Sequence, residues 1–373
     1  MKRRIPLVFL LLAFAFAPLP ALSQDGSTHG GTTDTLGSPS SAAGLSFLPL
    51  PIIFYTPETG IAGGAALLIV ERVPDQLTRP SSLMLDMIYT QRKQIIVEAY
   101  PILHLGGGTY HLLGAMAFSR YPQKFYGIGN STPDSLEELY TSRTARFGLD
   151  ALRTVVKHVD LGFSVYFEER ALTDLDPQGS LVSKTIPGSD GGTTLGLGVI
   201  ARWDTRDNEF APLGGRFYQF TWRKASPALG SDFDFTHMTA DLREYIRTGE
   251  ASVLGAQLLA TSVTGHAPFY LLARLGGASS MRGYYEGRYR DMLLLAGQVE
   301  YRFPLIWRIR GSAFVGIGDV APTLSGFALR TVKPTYGFGI RYVFDPLARL
   351  NVRFDMGFGR DASGVYMTVH EAF

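Results

Sequence analysis

The charged residues of this chain that invite a chemical reading recur two positions apart: Asp204 with Arg206, Glu300 with Arg302, and Arg353 with Asp355. That spacing places both groups on one face of an extended strand. Asp204, Arg206, Arg353 and Asp355 are read as charges lining an interior, not as catalysts. Covalent or metal chemistry has no matching pattern. There is no His-Glu-x-x-His, no Gly-x-Ser-x-Gly and no phosphate loop. Histidines stand scattered at 29, 104, 111, 158, 237, 266 and 370. His104 and His111 flank a tight turn and could meet across a hairpin. Two ligands make a poor metal site, so they are read as strand-end polar residues. Gly196-Leu197-Gly198 and Gly337-Phe338-Gly339 are strand glycines rather than a nucleotide fingerprint. No catalytic residue, metal ligand or cofactor is expected.

The elements that carry these charges alternate with period two, the signature of half-buried strands. Leu350, Val352, Phe354, Met356 and Phe358 share one face, and Asn351, Arg353, Asp355, Gly357 and Gly359 the other. Tyr336, Phe338, Ile340, Tyr342 and Phe344 oppose Thr335, Gly337, Gly339 and Arg341. Leu293, Leu295, Val299, Tyr301 and Phe303 oppose Gln298, Glu300 and Arg302, and Leu197, Val199, Ala201 and Trp203 oppose Arg202, Asp204 and Arg206. One face is therefore apolar and aromatic, while the other carries charge and glycine. A soluble sandwich would bury the first face. A transmembrane barrel turns it toward lipid and keeps the charges in the lumen.

Composition and the N-terminus favour the barrel. Of 373 residues, 46% are hydrophobic, only 18% are charged, and 42 are glycine. Cysteine is absent, which excludes disulfides, thiolate metal sites, a catalytic thiol and a lipoprotein anchor. Lys2-Arg3-Arg4, the apolar run 5–17 and Ala21-Leu22-Ser23 read as a secretory signal peptide over 1–23, with Pro18 and Pro20 ending the run too early for a membrane span. Without those three basic residues, 32 Lys and Arg face 33 Asp and Glu (35 less 3 against 33), which gives no electrostatic case for nucleic-acid binding. Residues 24–45 are Gly, Ser, Thr, Asp and Pro with little to bury, a flexible linker. The barrel is expected over 46–373. Aromatic residues near strand ends suit an interfacial girdle. The chain closes on Phe373 with Val365, Met367 and Val369 in phase, a C-terminal strand signal that Glu371 interrupts.

The fold class expected is all-β, a transmembrane antiparallel barrel of about sixteen strands: 46–56, 59–72, 82–90, 95–105, 109–120, 139–154, 160–172, 193–207, 214–226, 233–247, 251–264, 291–304, 308–320, 333–345, 347–360 and 364–373. An even count puts both termini on the periplasmic side. The longest connections, 121–138, 173–192, 265–290 and 321–332, then all fall outside, as such barrels prefer.

Three blocks give the chain a family likeness. They are Asp204-Thr205-Arg206-Asp207-Asn208 followed by Pro212 and Gly214-Gly215; Gly276-Gly277-Ala278-Ser279-Ser280-Met281-Arg282-Gly283-Tyr284 followed by Val299-Glu300-Tyr301-Arg302-Phe303-Pro304; and Arg353-Phe354-Asp355 with Gly357 and the terminal Glu371-Ala372-Phe373. Phe125-Tyr126-Gly127-Ile128-Gly129-Asn130 adds a weaker one. Over essentially all of 46–373 the chain resembles the barrel of the Omp85 superfamily, the bacterial surface antigen D15 or BamA–TamA type.

The resemblance implies that the loop carrying Arg282, Gly283 and Tyr284 folds back into the lumen. Its arginine would pair there with acids on the next two strands. Glu300 is the first. The second would stand at Gly316, a departure from the pattern, and alternation points nearby Asp319 outward. Arg282 is then held by Glu300 alone or by another lumen acid such as Asp355. Asp207 and Asn208 are read as turn formers, with Pro212 and Gly214 closing the turn. Pro49 and Pro51 remove two donors from one edge of the first strand, either weakening a seam against the last strand or marking an irregular strand start. The resemblance also implies a bacterial outer-membrane location and insertion or translocation of protein or lipid. Expected partners are outer-membrane lipid, the barrel-assembly machinery for its own insertion, and an unfolded polypeptide or lipid client. The 24–45 stretch is too short for the POTRA domains with which large members receive clients. A passive porin-like channel and a barrel-rim hydrolase are the alternatives.

Overall fold

The computed structural model describes residues 44–56, 60–72, 80–91, 93–346 and 349–373. The expected signal peptide (1–23), and the linker up to residue 43, lie outside the described residues. The strands are β1 (Gly44–Thr56), β2 (Gly60–Arg72), β3 (Ser82–Thr90), β4 (Ile95–Leu105), β5 (Tyr110–Phe125), β6 (Glu138–Val156), β7 (Val159–Thr173), β8 (Gly192–Asp204), β9 (Gly215–Ala225), β10 (Asp234–Arg247), β11 (Val253–His266), β12 (Ala273–Leu275), β13 (Tyr289–Asp291), β14 (Leu293–Ile306), β15 (Ile309–Ala321), β16 (Lys333–Asp345), β17 (Leu350–Gly359) and β18 (Ala362–Val369). Sixteen of them form one antiparallel meander in chain order, the architecture of an up-and-down β-barrel, while β12 and β13 pair only with each other. Among the described residues no ladder joins β1 to β18.

The sixteen expected strands are all present, with shifted ends. Gly44 and Leu45, expected in the linker, already pair with Arg72 and Glu71. β5 and β6 extend through Phe125↔Glu138, so the connection expected over 121–138 shrinks to 126–137. β18 ends at Val369 rather than Phe373, because the last residues turn into the barrel. β12 and β13 were not expected, since three residues each are too few to show a period.

Burial is inverted relative to a water-soluble domain. Arg282, Glu300, Arg341 and Asp355 are fully buried, while Phe163 is 72% exposed and Trp307 80%. Cross-strand partners share a face. The pairs Gln298↔Gly316, Glu300↔Phe314 and Arg302↔Ser312 therefore extend one polar inner face, and Val299↔Val315 and Gly297↔Ile317 begin the apolar outer one. Trp203, Tyr110 and Trp307 stand out toward one rim, and Tyr89 and Tyr336 toward the other. Both rims thus carry the amphipathic rings expected at a membrane–water boundary.

Connections segregate by length. Residues 126–137, 174–191, 267–292 and 322–332 all emerge at one rim. At the other rim two-residue turns join β6 to β7 and β14 to β15, with His158 and Trp307 left-handed at φ 69° and 49°. The longer 205–214 turn is held by its own side chains. Asp207 Oδ1 accepts from the Leu213 and Gly214 amides at 2.9 and 3.2 Å, and Asn208 Oδ1 from those of Phe210 and Ala211 at 2.9 and 2.8 Å.

Phe338 lies near the middle of β16 on the outer face. Phe338→Arg is expected to lower the stability of vesicle-inserted protein by about 2–4 kcal/mol, the cost of a cation at bilayer mid-depth. Phe338→Leu should cost about 1.5 kcal/mol or less. Urea titration of the inserted fraction measures both, and equal losses would mean that this face does not meet hydrocarbon.

Candidate functional site

The longest loop, 267–292, folds inward instead of standing clear of the rim. Its stem is the β12–β13 hairpin, preceded by a single 3-10 turn at Phe269–Leu271. Apolar contact fixes the stem. Phe269 stacks edge-on against Phe125 at 4.9 Å and Tyr140 at 5.6 Å, and Leu275, Met281 and Tyr284 join the same buried cluster. Arg290 Nη2 reaches the Gly287 carbonyl at 3.0 Å, and its guanidinium lies 5.1 Å from the Phe125 ring centroid.

The loop tip is docked backbone to backbone. Gly283 adopts φ +115°, and a Cβ there would meet the Phe358 carbonyl carbon at 2.6 Å. A Cβ on Gly357 would meet the Arg282 carbonyl carbon at 2.6 Å and the Gly283 nitrogen at 2.7 Å. Only glycine on both partners allows this approach. The Gly283 amide donates to Tyr366 Oη at 2.8 Å. Tyr284 Oη donates to the Pro334 carbonyl at 3.0 Å and accepts from the Arg360 amide at 2.7 Å. Thr335 Oγ1 donates to the Arg282 carbonyl.

Docking carries the Arg282 guanidinium into a layer of charge. Nη1 lies 2.6 Å from Glu300 Oε2 and 2.6 Å from Asp355 Oδ2, and Nη2 donates to Gln298 Oε1 at 3.3 Å. The guanidinium also covers the Phe314 ring, 3.5 Å from its centroid. Glu300 further accepts from Arg302 at 2.6 Å and Arg341 at 3.0 Å, and Asp355 from Arg341 at 2.6 Å and Arg353 at 2.7 Å. Glu371 accepts from Arg341 at 3.0 Å and Asn351 at 2.8 Å. Four guanidinium groups and three carboxylates thus form one network. Such burial is tolerated only when each charge has several well-placed partners.

The structure brings Arg282, Gly283, Tyr284, Glu300, Arg353 and Asp355 together. Asp204 and Arg206 pair with each other elsewhere, at 2.9 Å, with the Arg206 guanidinium 4.3 Å from the Phe217 ring centroid. Pro49 and Pro51 sit in β1 opposite Leu67 and Ala65. Phe373 does not extend the outer face of β18. It packs inside with Leu213, Tyr245, Val253 and Ala372, and its carbonyl accepts from Arg302 at 2.9 Å. A second acid at position 316 would be crowded, since a Cβ there meets the Thr335 methyl at 2.9 Å and the Gly297 carbonyl at 3.1 Å. Asp355 of β17 supplies a carboxylate to Arg282 instead. Asp319, expected to point outward, is buried beside Thr331 (2.5 Å) and Lys333 (3.3 Å), because alternation stops where residues 318–321 are all covered. His104 and His111 face each other, Nδ1 to Nδ1 at 2.6 Å, with His111 Nε2 on Thr154 Oγ1 at 3.1 Å.

Arg341 and Glu371 belong to the network but were not singled out from the sequence. Arg341 was visible only as one polar position among several on its strand. Glu371 announced itself by breaking the terminal alternation. Burial raises the Glu371 carboxyl, but Arg302 and Arg341 outweigh it and hold it below the ordinary 4.5. The 126–137 loop covers the docked hairpin from above, where the Gly129 amide donates to the Arg290 carbonyl at 2.8 Å and Arg288 reaches Asp134 at 2.6 Å.

A meander with an apolar outside, a charged inside and an external loop anchored in the lumen defines an integral β-barrel membrane protein. The Omp85 superfamily domain matches residues 131–361, more than half of the chain, and the chain belongs to that superfamily. Among solved structures it is similar to BamA from Haemophilus ducreyi lacking POTRA domains 1–3, at 13% identity and TM-score 0.56, covering 88% of this chain and 69% of that one. It is also similar to CdiB from Acinetobacter baumannii, at 12% identity and TM-score 0.53, covering 88% of this chain and 65% of that one. At such identities the likeness is one of fold, and this chain spans about two thirds of those proteins. None of the curated proteins compared matches it. Its place is the bacterial outer membrane.

Glu300→Ala leaves three guanidinium groups short of a carboxylate, a loss of about 3–5 kcal/mol for a broken buried pair. It should free the loop and expose 267–292 to trypsin in detergent. Gly283→Ala should do the same through backbone clash alone, and unchanged cleavage in both variants would remove the anchoring role. The lowered Glu371 carboxyl stabilises the folded state fully above about pH 4.5. That contribution is lost as pH falls through its depressed folded value. Acid titration of loop protection should therefore be shallower in Glu371→Gln than in the wild type, and superimposable curves would count against the pairing.

Proposed function

We propose that this protein inserts or translocates a client, an unfolded polypeptide or a lipid, at the outer membrane. The observation that carries the reading is the loop fixed in the lumen by Arg282, which leaves less of the lumen open to steady passage of solutes. Among the described residues β1 and β18 are each paired along one edge only, and the free edge of each supports a lateral route. β1 keeps a thirteen-residue register with β2 despite Pro49 and Pro51. A proline at a hydrogen-bonded position would interrupt that ladder, so the missing donors fit the free edge. On this reading residues 1–23 are a secretion signal, and the assembly machinery that folds other barrels also inserts this one.

Vesicles carrying the protein should accelerate insertion of an unfolded outer-membrane barrel polypeptide or exchange of lipid between leaflets, and in planar bilayers the protein should show small, flickering conductance. The chain has no cysteine, so one introduced in β1 and one in β18 would form a unique pair. Locking the seam with that disulfide should abolish the acceleration while leaving conductance unchanged. A locked protein that still accelerates insertion would sink the lateral route, and a large steady conductance unaffected by deleting 276–290 would favour a passive pore.

A further inference from the structure

The outer face of the barrel is not uniformly convex. Across β9, β10, β11, β14 and β15 it holds a groove of about 630 Å³, within the range of small-molecule sites. Its floor is low because Ala256 and Gly297 carry little or no side chain, and Leu242, Leu258, Val299, Val315 and Ile317 wall it. These residues lie on the face turned to lipid, so the groove is continuous with the hydrocarbon contact of the whole belt.

One end of the groove is charged. Glu244 and Tyr218 line it, Tyr218 Oη donates to Glu244, and Arg216 Nε donates to Glu244 Oε2 at 3.1 Å. The Arg216 side chain remains 52% exposed and that of Glu244 37%. Arg216 stands at the start of β9, beside the 205–214 turn, and Trp203 and Tyr218 stack edge-on next to it at 5.5 Å. Aromatic rings of this kind sit at headgroup depth, so the charged pair lies where a phospholipid places its phosphate.

We propose that this groove binds one phospholipid whose headgroup carries both a phosphate and a primary ammonium. An acyl chain lies over Ala256 and Gly297, the phosphate takes the Arg216 Nη groups left by the Nε bond, and the ammonium donates to Glu244. A quaternary ammonium has no hydrogen to donate to that carboxylate. A purely anionic headgroup would be repelled by it.

The test is native mass spectrometry of the full chain released from bilayer discs containing equal amounts of ethanolamine, choline and glycerol phospholipids with identical chains. One ethanolamine lipid should stay bound. A Cβ at Gly297 meets only the Gln257 carbonyl at 3.8 Å and a Leu258 methyl at 4.0 Å, so a side chain enters the groove without backbone strain. Gly297→Phe should cut retention about tenfold, and Glu244→Gln should cut the preference for ethanolamine over choline about tenfold. An unchanged trypsin pattern confirms that both variants are folded. Equal retention of the three lipids, preference for the glycerol lipid, or retention untouched by Gly297→Phe would each overturn the proposal.

Discussion

An arginine removed from water must find, inside the protein, nearly everything that water gave it. Arg282 does so through two carboxylates, one amide oxygen and an aromatic face. Those partners come from β14, β15 and β17, so the two terminal nitrogens of the guanidinium keep them only when the loop is docked and these strands are in register. The same requirement runs backwards. Glu300 and Asp355 are themselves buried acids, and without Arg282 each loses one of three cations. Loop and wall are therefore mutually stabilising, and the charge layer acts as one unit rather than as independent pairs.

Arg341 extends this dependence to the tail. Its three nitrogens contact Glu300, Asp355 and Glu371. Glu371 follows β18 and brings Ala372 and Phe373 inward, where Phe373 lies against Tyr245 and accepts from Arg302. The tail thus closes the floor of the layer whose roof is the docked loop. Glycine makes room for it: a Cβ on Gly339 would collide with Asp355 and Arg341, and one on Gly255 would meet the Phe373 ring at 3.2 Å. The high glycine content noted in the sequence reflects this crowding of the inner face as much as any need for turns.

Much of this fold was legible because a strand in a membrane barrel has only two environments. Val299 and Glu300, or Phe354 and Asp355, declare the two faces without reference to any other part of the chain. The partnership of Arg282 with Asp355 was not legible in the same way. It spans 73 positions and depends on register and strand tilt, which bring residues of β14 and β17 to one guanidinium. Asp319 misled because period two holds only while a strand stands clear of other layers; near the rim Asn130, Thr331 and Lys333 gather round it. Phe373 misled for a related reason. Its phase with Val365 and Met367 assumes continued extension, whereas Glu371, drawn to Arg302 and Arg341, turns the backbone inward two residues earlier.

A pore and a gated conduit make different demands on such a layer. A pore needs its charges spread round an open lumen, where water screens them. Here they are drawn to one side and dried by the docked hairpin, which strengthens every ion pair and ties the loop to the strands nearest the end of the meander. Those are also the strands whose far edge, β18, has no ladder to β1 among the described residues. Strain or rotation at that edge would act on Asp355 through β17, one strand away, and hence on Arg282. The loop in the lumen and the edge strand are thereby joined twice, through Asp355 of β17 and directly through Tyr366 of β18, whose hydroxyl accepts from the Gly283 amide at 2.8 Å and donates to the Tyr284 carbonyl at 3.2 Å.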